Sequence, residues 1–242
     1  MKRLQAFKIG LLNGIPIGIA YLAISFSFGI MAMQAGLNVG QSVIMSLTNV
    51  TSAGQVAAVG IIASGGSYIE LALNQLIINM RYALMGFSTS QKIEKGKLFH
   101  RFFVAFGLTD EIFAISSAKI GKVSPFYYYG AMAVAIPGWV IGTLLGAIAG
   151  QLLPNFIVSA LGIAVYCMFV AIIIPPAKHN KTLIWVILSA MLLGAAFKYI
   201  PFLNKISIGF VIIIITVVVS AVAAIIKPID DPSEDKKEVA DA

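Results

Sequence analysis

Glu70, Arg81, Asp110 and Glu111 are the ionisable residues placed where they could do chemistry, because each lies in sequence that is otherwise apolar. Asp110 and Glu111 are adjacent in FFVAFGLTDEIFAIS, whereas Glu70 and Arg81 share the stretch SYIELALNQLIINMRYALMGFS with Asn74, Gln75 and Asn79. An ionised group at the centre of a bilayer costs about 2.5–3.5 kcal/mol, so four of them cost on the order of 10 kcal/mol if isolated there. Pairing Arg81 with an acid removes part of that cost, but one arginine cannot neutralise three carboxylates. A surplus carboxyl must be protonated, face water or meet a cationic ligand. Burial favours the neutral carboxyl, which makes a proton carrier, and a cationic ligand makes an ammonium site. Both describe a transporter. An ion pair that only fixes helices against one another stands beside them as the structural alternative.

The elements that position these residues are membrane helices. Hydrophobic residues make up 59% of the chain, mean hydropathy is +0.94 and only 11% of residues are charged, against about 25% in a soluble domain. Several apolar runs reach the 18 or so residues that cross a hydrocarbon core of roughly 30 Å. They are continuous and lack the alternation of barrel strands. The expected fold is therefore all-α, a polytopic transmembrane bundle over 1–227 as one transport domain. A charged, disordered tail is expected over 228–242, where Asp230, Asp231, Glu234, Asp235, Glu238 and Asp241 gather. The net charge of +7 comes from Lys and Arg in loops, which suits orientation in a membrane and not nucleic-acid binding. Cys167 has no second cysteine to pair with, and His100 and His179 both read as residues of basic loops. Neither a metal-ligand cluster nor a cofactor motif is present in the sequence. It also lacks a Ser–His pair and a glycine-rich phosphate loop, so an enzyme ranks last. A channel lacks a selectivity repeat.

In chain order, the first helix runs over 11–35 behind a basic start, too long to be a signal-peptide core. Gly10, Gly14 and Gly18 recur every four residues along it, as Gly142, Gly146 and Gly150 do in the helix over 125–150. Such faces let helices approach closely, although glycine is also simply common in membrane helices. Proline before spaced glycines in both places hints at a repeat of 1–90 in 125–227, or at coincidence. Segment 41–63 is interrupted by Thr48, Asn49, Thr51, Ser52, Gly54 and Gln55, which suits either a broken or re-entrant helix lining a cavity or a polar face buried in the bundle. Along a helix over 68–87, Glu70, Asn74 and Arg81 share one face and Gln75 and Asn79 another. Thr109-Asp110-Glu111 is a helix-start signal, so 102–118 reads as two half-helices. Further spans follow over 156–174, 182–199 and 206–226.

Positive charge chooses between two topologies. If all eight segments cross, the basic cluster of 91–101 lies outside. If 41–63 and 102–118 both re-enter, only Lys198 and Lys205 lie outside, as the positive-inside rule prefers. The expected architecture is thus six full spans plus two broken or re-entrant segments, up to eight, in the cell inner or plasma membrane with both termini cytoplasmic.

Four stretches carry a family resemblance: TSAGQ (51–55), IINMRYALMG (77–86), LTDEIFAI (108–115), and GWVIGTLLGAIAG followed by LLP (138–154). Together they resemble the AzlC family of branched-chain amino acid exporters, over about residues 11–177. The resemblance implies export of hydrophobic amino acids with a small, separately encoded AzlD-type membrane subunit. Combined with the residues, it suggests a site in which Asp110 or Glu111 meets the substrate ammonium. Arg81, or backbone N–H groups at Gly54 and Gln55, would meet the carboxylate. Asn74, Gln75 and Asn79 would supply neutral hydrogen bonds, and Glu70 would join Asp110 and Glu111 in proton coupling or ammonium binding. The alternative from a different class is a non-transporting assembly subunit whose ion pairs are structural.

Overall fold

Two long helices form the frame that carries every other element of the N-terminal half: α1 (Arg3–Gln34) and α8 (Pro125–Leu152). The computed structural model describes residues 3–94, 96–152, 154, 156, 170, 173–174, 177–178 and 180–227. Cys167, His179, the tail and nearly all of the expected span over 156–174 lie outside the described residues. The chain divides into two units, 1–170 and 171–242. In the first, α1 and α8 lie backbone to backbone. Gly10 abuts the carbonyl of Tyr127, Gly14 abuts Ala131, Gly142 abuts Leu22 and Gly146 abuts Phe26. The contacts advance in the same direction along both chains, so the two helices are parallel. Gly18 faces Val134, and a Cβ at Gly150 would meet Ile30 at an ordinary 3.5 Å. An inverted repeat would set the first helices of its two halves antiparallel, and α1 and α8 do not lie that way.

Between them run six short helices: α2 (Val39–Thr48), α3 (Ser52–Ala63), α4 (Tyr68–Ile78), α5 (Met80–Lys92), α6 (Leu98–Phe106) and α7 (Asp110–Ser117). Asn38 caps α2 in a reciprocal capping box with Gln41, and the chain then breaks at 49–51. Val59 of α3 packs with Leu37, Ala32 and Phe28, residues at the end of α1 and the start of α2. So α3 doubles back along α2, and the pair forms a hairpin of the re-entrant kind. At the opposite end, His100 of α6 hydrogen-bonds Tyr129 near the start of α8 (2.8 Å). Gly107 meets Met132 one turn deeper, and α7 returns until Lys119 stands over the Tyr127 ring. That is a second hairpin, inserted from the other side. His100 is therefore a helical residue and not the loop residue expected from its basic neighbours, and its ring packs against Phe126 and Tyr129 of α8.

The stretch 68–92 runs along the frame from one end to the other. Glu70 lies beside Gly66 at one end, Asn79 beside Thr51 midway, and Lys92 at the other end donates to the Ser117 carbonyl and accepts from Val123 N–H through its own carbonyl. The sequence suggested one helix here, but it breaks at Asn79 into α4 and α5. A face computed at 100° per residue from Glu70 to Arg81 therefore does not survive.

The second unit contains α9 (Lys181–Tyr199), a short 3-10 turn (Leu203–Lys205) and α10 (Ile208–Ile226). Gly194 sits against Ile215, making an antiparallel pair. Among the described residues, α1, α8, α9 and α10 are the helices long and apolar enough to cross a membrane singly. The fold is a helical membrane bundle with two re-entrant hairpins.

Candidate functional site

The turns of the two hairpins and the break at Asn79 meet at mid-height on the α1/α8 frame. Tyr21, Val50, Ser52, Tyr82, Thr109, Asp110, Glu111 and Trp139 line the cavity between them. Its volume, about 10 Å³, is room for roughly one water molecule, so an amino acid cannot enter without a rearrangement.

Local sequence dictates the two helix starts that face this cavity. Thr51 is extended and its Oγ1 accepts from Gly54 N–H, starting α3. Thr109 does the same for Ile112 N–H, starting α7. Each start presents unsatisfied N–H groups and the positive end of a helix dipole. The start of α7 carries Asp110 and Glu111, which offset that partial charge. The start of α3 carries no acid in its first turn, which suits an anionic group.

Arg81 occupies the first turn of α5, an unfavourable place for a cation. Asp110 compensates it through a 2.9 Å ion pair, and the Tyr82 ring lies beneath the guanidinium at 5.1 Å. The pair is only partly covered by this chain, with side chains 42% and 43% exposed. Glu111 instead turns inward and accepts from the Tyr21 hydroxyl. The two adjacent acids thus have different partners.

A polar clasp joins the first break to the second. Gln75 donates to the Gly54 carbonyl (2.7 Å), Asn79 donates to Gln75 Oε1 (3.1 Å), and Thr51 donates to Asn79 Oδ1 (3.0 Å). A second, fully buried network anchors the α2–α3 hairpin on α8. Gln55 donates to Ser46 Oγ (3.0 Å) and accepts from Trp139 Nε1 (2.8 Å), and Ser46 bonds Thr143 (2.7 Å).

Of the residues singled out in the sequence, Asp110 and Glu111 line the cavity, Arg81 is tied to it through its ion pair with Asp110, and Asn79 and Gly54 belong to the clasp. Gln55 does not line the cavity, because both ends of its amide are engaged on α2 and α8. Glu70 and Asn74 are buried in α4, and Glu70 lies in its first turn near Gly66, well away from the Arg81–Asp110 pair. Sequence reasoning did not identify Tyr21, Tyr82 or Trp139. A signal was available in a tryptophan and tyrosines set within apolar runs, polar-tipped residues that seek a partner when buried. Replacing Trp139 with phenylalanine keeps the ring but orphans Gln55 Oε1. The expected loss is about 1–3 kcal/mol of stability, seen as a lower melting temperature in detergent. Trp185→Phe, at a position 71% exposed, should change stability by no more than about 0.5 kcal/mol.

Comparison with known proteins places the chain among membrane proteins. A family model described as AzlC protein matches residues 16–153, which contain both hairpins, the broken helix, the C-terminal part of α1 and all of α8. The Inner membrane protein YgaZ of Escherichia coli K12 is 30% identical over 200 residues, covering 78% of this chain and 79% of that protein. An uncharacterized membrane protein of Archaeoglobus fulgidus is 28% identical over 209 residues, covering 85% of this chain and 89% of that one. No solved structure matches. The chain belongs to the AzlC family of membrane proteins.

Proposed function

We propose that this chain is the large subunit of a secondary-active exporter of branched-chain or other hydrophobic amino acids, coupled to protons and working with a small AzlD-type membrane subunit. The observation that carries the reading is a cavity lined by Asp110 and Glu111 at two half-helix starts, with Arg81 paired to Asp110 at its edge. That set matches a zwitterion. The substrate carboxylate goes to Arg81 or to the acid-free start of α3, and its ammonium goes to Asp110. With substrate absent, Arg81 and Asp110 neutralise each other. Glu111, held by Tyr21, is the group that exchanges a proton when the ion pair opens. The apolar side chain of the substrate meets Val50 and the rings of Tyr82 and Trp139.

The test is efflux of valine, leucine and methionine from preloaded cells expressing this chain with the small membrane subunit encoded beside it. Accelerated loss of these amino acids, abolished by collapsing the proton gradient, is the expected result. Efflux no faster than in cells lacking both proteins rejects the assignment. A rate indifferent to the gradient rejects the coupling alone.

A further inference from the structure

The α9/α10 hairpin holds a groove that plays no part in the site above. Its volume is about 550 Å³, and Lys181, Thr182, Trp185, Val186, Ser189, Leu193, Val219 and Lys227 are among its lining residues. Because α9 and α10 are antiparallel and joined through 200–207, Lys181 at the start of α9 and Lys227 at the end of α10 stand at the same open end. From there the groove is mostly apolar as far as Leu193, with Ser189 as a polar exception. Twelve residues of helix span about 18 Å, close to the roughly 15 Å depth of one leaflet's hydrocarbon. Among the described residues, no acidic side chain lines it. Asn180 caps α9 through Thr182 N–H, so the positive end of that helix dipole lies at the same mouth. Trp185 sits one turn below the lysines, the level at which tryptophan marks a membrane interface.

We propose that this groove binds an anionic phospholipid, its phosphate between Lys181 and Lys227 and one acyl chain along α9 and α10. Charge and length choose this occupant together. A peptide helix gains nothing from two cations at a single end, whereas a lipid carries its negative charge at one end of a chain of this length. Basic pockets between membrane helices hold anionic headgroups in this way.

The full chain is reconstituted in phosphatidylcholine vesicles containing a minor fraction of either brominated phosphatidylglycerol or brominated phosphatidylcholine, and tryptophan quenching is read. The chain has two tryptophans, so the Trp185 share is the difference between the unaltered chain and Trp185→Phe. Half-maximal quenching of that share is expected at a brominated phosphatidylglycerol fraction on the order of tenfold below that for brominated phosphatidylcholine. The double substitution Lys181→Gln/Lys227→Gln should erase the difference, and Lys181→Gln alone should erase part of it if the double variant does not fold. Equal quenching by both lipids, or by neither, overturns the proposal. So does a phosphatidylglycerol preference that appears only in Asp230→Asn/Asp231→Asn, since the acidic tail would then be what the lysines hold.

Discussion

Asp110→Asn is expected to lower amino acid efflux roughly ten- to hundredfold while the protein still reaches the membrane. One hydrogen bond to a charged group is worth about 1.5–3 kcal/mol, and each 1.4 kcal/mol is a factor of about ten in occupancy. The fold itself should suffer less. The Arg81–Asp110 pair is nearly half exposed in this chain, and exposed pairs contribute little to stability. The decisive variant is the exchange Arg81→Asp/Asp110→Arg, measured for both melting temperature and efflux. It restores the ion pair, and a pair that only ties α5 to α7 would then restore everything. A substrate site is not symmetric, because the exchanged arginine sits beside Glu111 in the first turn of α7 and the exchanged aspartate in the first turn of α5. The expected outcome is near-normal melting with efflux still lost. Full recovery of efflux in the exchange variant would move this protein to the class of structural subunits.

The largest effect on stability is expected at Gly146. A Cβ there would lie within contact distance of the Phe26 backbone, and backbone cannot swing aside as a side chain can. Gly146→Ala must push α1 and α8 apart, at about 3 kcal/mol, the upper end of ordinary overpacking. Gly150→Ala is the control four residues on. Its Cβ would meet Ile30 at 3.5 Å, an ordinary contact, and alanine is favoured over glycine in a helix by about 1 kcal/mol. One substitution should therefore lower the melting temperature sharply and the other leave it level or raise it. Equal effects would mean that the two helices are not in this register.

Much of this architecture could be read in the residues, and the reason differs with the feature. The membrane class follows from hydropathy alone. The start of α7 was legible because Thr109-Asp110-Glu111 combines a cap with first-turn acids, a local signal. The fold-back of the two polar-interrupted segments was legible only through the loop lysines, which act on topology at long range. The break at Asn79 was not legible. IINMRYALMG contains no proline and no early glycine, a single asparagine is too weak a signal to end a helix, and the clasp of Thr51, Gln75 and Asn79 that meets the break is tertiary. Nor could the sequence reveal that Glu111 would find Tyr21 or that Gln55 would find Trp139. Those partners are separated by most of the N-terminal half, and no periodicity links them. The glycine stripes were visible, yet nothing in either stripe said that the two would face each other in parallel.

That parallel pairing has a consequence for how the molecule is made. Phe26 leaves the ribosome roughly 120 residues ahead of Gly146, a delay on the order of ten seconds at 5–20 residues per second. Throughout that interval the first helix waits in the bilayer without its partner, its small-residue groove open to any passing segment. A nascent chain of this protein is therefore expected to linger beside the insertion machinery until α8 is complete, and chains arrested before α8 should be prime substrates for membrane quality-control proteases.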